Sequence, residues 1–323
     1  MAVRSACAAS APIMSPQEMR NEITRLKKEK NALIMAHYYQ RDEIQEIADF
    51  IGDSLALARQ AAKTDADIIV MCGVHFMGET AKILCPDKTV LIPDLNAGCS
   101  LADSCDPVEF EKFVKEHPDY TVISYVNTSA AVKANTDIVV TSGNARAIVE
   151  QLPEDEKIIF GPDKNLGEYI NSVTGRQMLL WNGACHVHDR FSLEKISQLK
   201  EEHPNAKILV HPECRRPLQL IADKVGSTAA LLDFARTDSA QEYIVVTESG
   251  ILFEMCKKCP EKTFIAAPAD DAECQCNECD FMKLNTLQKV YECLRDGKPE
   301  IKVDPEIAER ALRPIERMLE MSR

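Results

Sequence analysis

With 323 residues, 45% of them hydrophobic, the chain can bury a substantial core, and its length suggests two or three domains. The formal net charge of −13 argues against a nucleic-acid partner, because phosphate backbones are bound by clustered lysines and arginines. No stretch reaches the roughly 18 uninterrupted apolar residues of a membrane helix, so we expect a cytoplasmic protein without a membrane partner.

Both ends of the chain carry signals for helices. Residues 1–14 are mostly small, and we expect a disordered tail there rather than a cleaved targeting segment. A capping box that starts at Ser15 predicts a helix over residues 19–28. At the other end a helix is predicted over 306–319, and Pro314 should kink or divide it.

Between these helices, continuous apolar runs alternate with amphipathic segments. Such runs are typical of parallel strands that are covered by helices on both faces of a sheet. In the first part of the chain the predicted elements are, in order, a strand at 33–36, a helix at 43–50, a helix starting at Ser54, a strand at 67–71, a helix around Glu79 and a strand at 89–92.

The same series of residues occurs three times along the chain. Tyr125 follows His37 by 88 residues, and His211 follows Tyr125 by 86. The spacing persists downstream, although an insertion within 266–278 places the third cysteine 94 residues after the second. A whole series in one order indicates repeated structural units. The matching positions are His37, Tyr125 and His211; Tyr39, Asn127 and Glu213; Asp49, Asp137 and Asp223; Ser54, Ser142 and Thr228; Glu79, Glu168 and Glu254; and Cys99, Cys185 and Cys279.

We therefore predict an α/β fold of three similar αβα sandwich domains, with parallel sheets around a pseudo-threefold axis. The repeat can be cut before the first strand of each unit or before the strand that leads to each cysteine. We choose the second cut, which gives domains at 15–88, 89–176 and 177–302. The C-terminal helix, 303–323, is expected to return to the first domain.

The polar residues of the repeat follow predicted strands, at the ends where open α/β sheets bind ligands. Three units around one axis would bring them to a central cavity, to which each unit contributes one cysteine. Thirteen cysteines favour metal binding or catalysis over disulfides in a chain of this kind. Three thiolates are one short of saturating an ordinary iron–sulfur cluster. A [4Fe–4S] cluster held in this way keeps one iron open as a Lewis acid that can remove a hydroxyl as water.

The remaining repeated positions predict an anionic substrate and proton transfer. Backbone N–H groups at helix starts, aided by Ser or Thr hydroxyls, hold carboxylate or phosphate. A single Ser or Thr there is more often a plain cap, but recurrence in three units favours function. Together with Tyr39, His211 and Glu213 as proton-transfer groups, they suit condensation followed by dehydration. The helix starts are at Ser54, Ser142 and Thr228.

Nine segments of the sequence match one enzyme family. They are residues 36–40, 52–54, 73–82, 92–100, 125–127, 141–145, 161–167, 181–188 and 211–214. Together they resemble the motifs of quinolinate synthase, and the resemblance runs from about Ser15 to the final helix. It implies three αβα domains around a central [4Fe–4S] cluster. It also implies that iminoaspartate condenses with dihydroxyacetone phosphate, with loss of phosphate and water, to give quinolinate for NAD biosynthesis.

By the same resemblance, Cys99, Cys185 and Cys279 correspond to the cluster ligands. Some family members carry Cys-x-x-Cys-x-x-Cys at the third ligand, whereas this chain has a one-residue gap after Cys274. We choose Cys279 because the residues after it match the family, and Cys276 is the main rival. The positions that correspond to pocket residues are His37, Tyr39, Ser54, Tyr125, Asn127, Ser142, His188, His211, Glu213 and Thr228.

We assign roles to these residues as hypotheses. Glu213, supported by His211, would move protons during enamine attack and isomerisation, and Tyr39 would assist near the cluster. Tyr125 and Asn127 would orient the dicarboxylate, while the three Ser or Thr helix starts would hold carboxylates and phosphate. An L-aspartate oxidase or dehydrogenase must supply the unstable imine.

Two other functions stay open from the sequence. Another [4Fe–4S]-dependent hydro-lyase would use the same open iron on a different hydroxy acid. A non-catalytic zinc-binding protein would need four closely spaced ligands, but zinc leaves the threefold polar series unexplained. The zinc ligands could come from Cys256 and Cys259 with Cys274, Cys276 and Cys279. Otherwise the spare cysteines could be surface or regulatory thiols, namely Cys256, Cys259, Cys274 and Cys276. Those expected in the core are Cys72, Cys85, Cys105 and Cys293.

Overall fold

The computed structural model describes residues 14–270 and 277–322, so most of the expected tail, Cys274 and Cys276 lie outside the described residues. The first unit has α1 (Pro16–Glu29), β1 (Ala32–His37), α2 (Asp42–Ile47), β2 (Phe50–Gly52), α3 (Ser54–Ala61), β3 (Ile68–Cys72), α4 (His75–Leu84) and β4 (Thr89–Leu91). The second has α5 (Ser100–Asp103), α6 (Pro107–Lys115), β5 (Thr121–Tyr125), α7 (Ala130–Lys133), β6 (Ile138–Val140), α8 (Ala145–Glu150), β7 (Ile158–Gly161), α9 (Lys164–Thr174) and β8 (Leu179–Leu180). The third has α10 (His186–Asp189), α11 (Leu193–Glu202), β9 (Lys207–Val210), α12 (Arg216–Leu220), β10 (Lys224–Val225), α13 (Thr228–Thr237), β11 (Glu242–Val246), α14 (Ile251–Lys258) and β12 (Thr263–Ala266). A 3-10 turn (Met282–Leu284), α15 (Leu287–Asp296) and α16 (Pro305–Met321) follow.

Three four-stranded sheets confirm the predicted fold class. The strand order is β2-β1-β3-β4 in the first sheet, β6-β5-β7-β8 in the second and β10-β9-β11-β12 in the third. Every neighbouring pair is parallel. Because the order is the same in all three sheets, the chain is an α/β protein built from three similar αβα units. No helix of the described ranges is both long and apolar enough to cross a membrane.

The repeated aspartates join the first two strands of each sheet. Asp49 lies between α2 and β2, and its carboxylate accepts a hydrogen bond from the backbone N–H of Ile34 in β1 at 2.8 Å. The backbone N–H of Asp49 donates in return to the Ile34 carbonyl at 2.9 Å. This two-way pairing lines up the short edge strand beside the central one. The same bonds, at 2.8 and 2.9 Å, join Asp137 with Val122 and Asp223 with Ile208.

Two local predictions differ from the structure. The helix predicted over 43–50 ends at Ile47, because the aspartate pairing draws the following residues into β2. A strand of only three residues carries no periodic signal in a sequence. Of the two outcomes predicted at Pro314, division is wrong, because α16 is continuous through that buried residue, while the kink stays a prediction.

The sheets are divided differently from the chosen domain boundaries, which stay a prediction. Strand β4 hydrogen-bonds to β3 and completes the first sheet, and β8 completes the second in the same way. Sheet membership therefore follows the alternative cut, before the first strand of each unit. After β12 the chain returns to the first unit, where Leu287 and Val290 of α15 share a core with Met19 and Ile23 of α1. Helix α16 packs against α4 of the first unit and against α7 and β6 of the second.

Candidate active site

The first strands β1, β5 and β9 lead into one cavity, whose volume together with its solvent-open mouth is about 690 Å³. His37 ends β1, Tyr125 ends β5 and His211 directly follows β9. All thirteen side chains predicted as ligands, binding residues or proton-transfer groups line this cavity, while their individual roles stay predictions. They are His37, Tyr39, Ser54, Cys99, Tyr125, Asn127, Ser142, Cys185, His188, His211, Glu213, Thr228 and Cys279.

Glu213 is buried and links several side chains of the cavity. The Tyr125 hydroxyl donates to its Oε1 at 2.5 Å, and Nδ1 of His188 lies 3.1 Å from its Oε2. Nδ1 of His211 lies 3.7 Å from Oε1. Burial works against ionisation of Glu213, but the His188 and His211 imidazoles and the Tyr125 hydroxyl outweigh it and hold the pKa of that carboxyl at about 2. The group is therefore a carboxylate at neutral pH.

Two histidines occupy equivalent places and have the same geometry. Nδ1 of His37 accepts the backbone N–H of Tyr39 at 3.1 Å, and Nδ1 of His211 accepts that of Glu213 at 3.4 Å. Burial lowers the pKa of each imidazole to about 3, so both are neutral at pH 7. A neutral imidazole that accepts at Nδ1 carries its proton at Nε2. Both histidines can therefore donate a hydrogen bond from Nε2 to a ligand.

A chain of hydrogen bonds joins Tyr39 to Glu213. The Tyr39 hydroxyl lies 2.8 Å from the Thr228 hydroxyl and 2.7 Å from that of Thr247. Thr247 in turn lies 2.9 Å from Nε2 of His188, whose Nδ1 contacts Glu213. Burial, with the nearby Glu213 charge, raises the pKa of Tyr39 well above its ordinary value, so the phenol is protonated. The chain connects the first and third units through groups that can pass a proton.

The three predicted ligand thiols are half-buried and face the same cavity. Cys99 and Cys185 each precede a short helix, α5 and α10, while Cys279 follows the insertion. Burial raises the pKa of Cys99 to about 12 and that of Cys279 to about 11. Burial, Glu213 and the other two thiols raise the pKa of Cys185 well above its ordinary value. Buried sulfur atoms close enough to repel as thiolates need a cation to ionise, so this donor set fits an iron–sulfur centre.

A second group of potential metal ligands overlaps with the first. The donor atoms of Cys185, His188 and Glu213 all lie within 4.8 Å of one another. Sulfur, nitrogen and oxygen donors of this kind suit a single zinc or another divalent metal. The two ligand sets share Cys185, so they define one candidate metal-binding region of the cavity.

Two buried carboxylates that sequence reasoning missed hold the loops of two cysteines. Asp163 accepts the backbone N–H of Cys185 at 3.3 Å, and Glu248 accepts that of Cys279 at 3.1 Å. Lys283 forms an ion pair with Glu248 at 2.9 Å and also donates to a backbone carbonyl, that of Tyr39, at 2.8 Å. Burial raises the pKa of both carboxyl groups. These contacts fix the backbone on which the thiols are carried.

The predicted anion-binding hydroxyls are only partly where the sequence indicated. In α3 and α13 the preceding residue makes the cap, through the side chains of Asp53 and Ser227. Ser54 and Thr228 are therefore the first helical residues, and both line the cavity. Ser142 instead lies in a turn, and α8 begins three residues later, so the predicted helix start there is wrong.

A glycine before Cys185 supports a testable expectation. A Cβ on Gly183 would lie 2.6 Å from the Pro162 carbonyl oxygen, closer than side chains approach backbone. We expect Gly183→Ala to destabilise the protein by about 1–3 kcal/mol and to lower its bound iron, because the Cys185 loop must shift. Gly98→Ala is the matched control, since its Cβ would have only ordinary contacts, the nearest at 3.6 Å. Equal iron content in the two variants would show that the loop tolerates the shift.

The cysteines outside the cavity largely agree with expectation. Cys256 is exposed at the end of α14, whereas Cys259 is buried, so the surface-thiol interpretation of the pair is wrong for the second member. A shared zinc site with Cys274 and Cys276 falls outside the described residues. The cysteines confirmed in the core are Cys72, Cys85, Cys105 and Cys293.

Fold and cavity together define an α/β protein with three parallel sheets around a candidate metal centre of thiols, imidazoles and carboxylate. Residues 21–320 match the family model described as quinolinate synthetase A protein. The quinolinate synthase of Thermosynechococcus vestitus is 55% identical over 307 residues, which are 95% of this chain and 96% of that protein. That of Chloroherpeton thalassium is 54% identical over 310 residues, covering 96% of each chain. The chain belongs to the quinolinate synthase family of enzymes.

Proposed function

We propose that this enzyme condenses iminoaspartate with dihydroxyacetone phosphate, releasing phosphate and water, and thereby makes quinolinate for de novo NAD biosynthesis. The observation that carries the proposal is one cavity lined both by three thiols and by Glu213 with its hydrogen-bond partners. The chain that forms it is 55% identical to a quinolinate synthase. Iminoaspartate is an unstable imine, so an L-aspartate oxidase or dehydrogenase must supply it. We place the reaction in the cytoplasm.

We further propose that Cys99, Cys185 and Cys279 hold a [4Fe–4S] cluster. Support comes from their chemistry, since three half-buried sulfur donors from separate segments face one cavity. Thiolate ligands in a buried setting require the positive charge of bound iron to ionise, as their raised pKa values indicate. When bound, the cluster would supply an open iron as a Lewis acid for removal of a hydroxyl as water.

Neutral donors suit the anionic groups of both substrates. The Nε2 protons of His37 and His211 can donate to carboxylate oxygens without bringing a positive charge. The hydroxyls of Ser54 and Ser142 and the backbone near them can hold the remaining carboxylate or phosphate oxygens. These donors would orient the dicarboxylate against the triose.

Asn127 is suited to bind a nitrogen-bearing group. Its side-chain oxygen is buried and has no hydrogen-bond partner within 14–270 and 277–322. Because buried acceptors are normally paired, this oxygen is available to a ligand N–H. The imine or enamine nitrogen of iminoaspartate offers such a donor.

Glu213 is the group we assign to proton abstraction. As a buried carboxylate it can take a proton on Oε1 or Oε2 from carbon or nitrogen of the substrate. The Tyr125 hydroxyl and the His188 imidazole hold it in place. A proton taken here can pass through His188 and Thr247 to the Tyr39 hydroxyl, which would return it on the other side of the cavity.

Anaerobic purification and assay test the proposal directly. We expect brown protein with about four iron and four sulfide per chain, which forms quinolinate only when both iminoaspartate and dihydroxyacetone phosphate are present. Reactions that lack either substrate are the controls. Brown protein without quinolinate formation would contradict the substrates, and colourless protein with one zinc would contradict the cluster.

A further inference from the structure

One side chain in each unit binds the cavity loop in the same manner. Its nitrogen donates to two carbonyls, two residues apart, in the loop that follows the first strand. The three donors are spaced by 88 and 86 residues, as the repeat requires. The donors and acceptors, at 2.5–3.1 Å, are Gln45 to Tyr38 and Gln40, Lys133 to Val126 and Thr128, and Gln219 to Pro212 and Cys214.

The carbonyls that are held alternate with the side chains that line the cavity. In the second unit, for example, Tyr125 and Asn127 face the cavity, and the held carbonyls belong to the next residue in each case, Val126 and Thr128. Fixing these carbonyls therefore fixes the direction of the two neighbouring side chains. The same alternation applies to the pairs His37 with Tyr39 and His211 with Glu213.

Each donor also contacts a different unit. Gln45 of the first unit donates to the Gly250 carbonyl of the third at 2.9 Å, and Gln219 of the third reaches the Asn165 carbonyl of the second at 3.5 Å. The ammonium of Lys133 in the second unit lies 5.4 Å from the ring centroid of Phe76 in the first. The three contacts close a ring around the cavity.

We propose that Gln45, Lys133 and Gln219 form a ring clamp, a set of positioning residues that holds the three cavity loops in register across the units. None of the three lines the cavity, so they act on substrate only through the loops. The kinetic test of the clamp rests on the proposed function, because it measures quinolinate formation. The structural test measures the loop itself and is independent of that function.

Lys133 offers the sharpest test because two units use glutamine at its position. It is fully buried, and burial lowers its pKa to about 8. A neutral amine still has two N–H donors for the two carbonyls, so the contact does not require charge. Lys133→Gln should therefore keep the clamp. Lys133→Met keeps the stem but removes the side-chain donor from both carbonyls, so that of Val126 keeps only the backbone N–H of Thr128, at 2.8 Å.

The experiment measures hydrogen exchange of peptides that cover 125–128 and steady-state quinolinate formation for both variants. Lys133→Met should speed exchange in this loop about tenfold or more and lower kcat/KM by about 10–100-fold, because small displacements of reacting groups cost that much. Lys133→Gln should stay within about threefold of the parent for both. Asp137→Ala is the matched control. It removes the carboxylate that accepts the backbone N–H of Val122 in β5, the strand that leads into this loop, and should lower Tm without changing loop exchange or kcat/KM.

Each outcome decides for or against the clamp. If Lys133→Met behaves like Asp137→Ala, with lower Tm and unchanged loop exchange, Lys133 is merely structural and the proposal fails. If Lys133→Met does not fold, Gln219→Met and the exchange of 211–214 give the same comparison. If the parent makes no quinolinate, the proposed function fails, while loop exchange alone still tests the clamp.

Discussion

Replacing Cys99, Cys185 or Cys279 by alanine should in each case remove bound iron and lower quinolinate formation by at least about 100-fold. Each thiol faces the cavity, and each would supply one of three protein ligands, so none is redundant in the proposed centre. The measurements are iron and sulfide content, the visible spectrum and activity, all under anaerobic conditions. Loss of colour and of activity should occur together.

Matched variants separate this three-cysteine centre from the overlapping group of Cys185, His188 and Glu213. Cys105→Ala removes a buried thiol that packs in a separate core and should leave iron content unchanged. Under the three-cysteine proposal, Cys99→Ala loses the metal and His188→Ala retains it. The reverse result, metal kept without Cys99 and lost without His188, would favour the mixed ligand set.

The fold could be predicted because its strongest signals are periodic. Long apolar runs separated by amphipathic segments predicted the parallel sheets, and the spacing of the polar residues predicted that the αβα unit occurs three times. The short edge strands carried no such signal. Strand β2 forms because Asp49 pairs with Ile34 of the neighbouring strand, and that contact depends on tertiary structure. The chosen boundary at residue 89 has the same origin. Strand β4 lies beyond that boundary but hydrogen-bonds to β3 of the first sheet, and this pairing depends on tertiary structure.

The site could be predicted where the three units repeat one another and not where they differ. The cavity residues recur at fixed spacing, so the repeat itself identified them as candidate site residues. Asp163, Thr247 and Glu248 also lie just after strands, β7 and β11, yet the units have different residues there. Polar residues after β7 and β11, the third strands of their units, were thus a signal for the site. The repeat did not reinforce that signal, because the residues differ between units. Gln45 and Lys133 were not predicted for a similar reason. Both donate to carbonyls of the cavity loop, but the donor is an amide in one unit and an amine in the other.

Glu213→Gln should lower kcat by about 10²–10⁴-fold, the range that positioned proton-transfer groups contribute. Glutamine has nearly the same shape and can still accept the Tyr125 hydroxyl, so the fold and the cavity should persist. The amide cannot take a proton at neutral pH, whereas the carboxylate is ionised there because its pKa is lowered. KM should change much less than kcat if the loss falls on chemistry rather than on binding.

Iron content decides what the Glu213 result means. If the carboxylate moves protons, Glu213→Gln retains the full cluster and its spectrum while turnover falls. If Glu213 is instead a metal ligand, as its closeness to Cys185 and His188 permits, the same variant loses metal in proportion to activity. Glu168→Gln, an exposed glutamate on α9, should match the parent in kcat, iron and Tm. A Glu213→Gln enzyme with full iron and parental kcat would remove Glu213 from the reaction and leave it the role of contacting Tyr125 and His188.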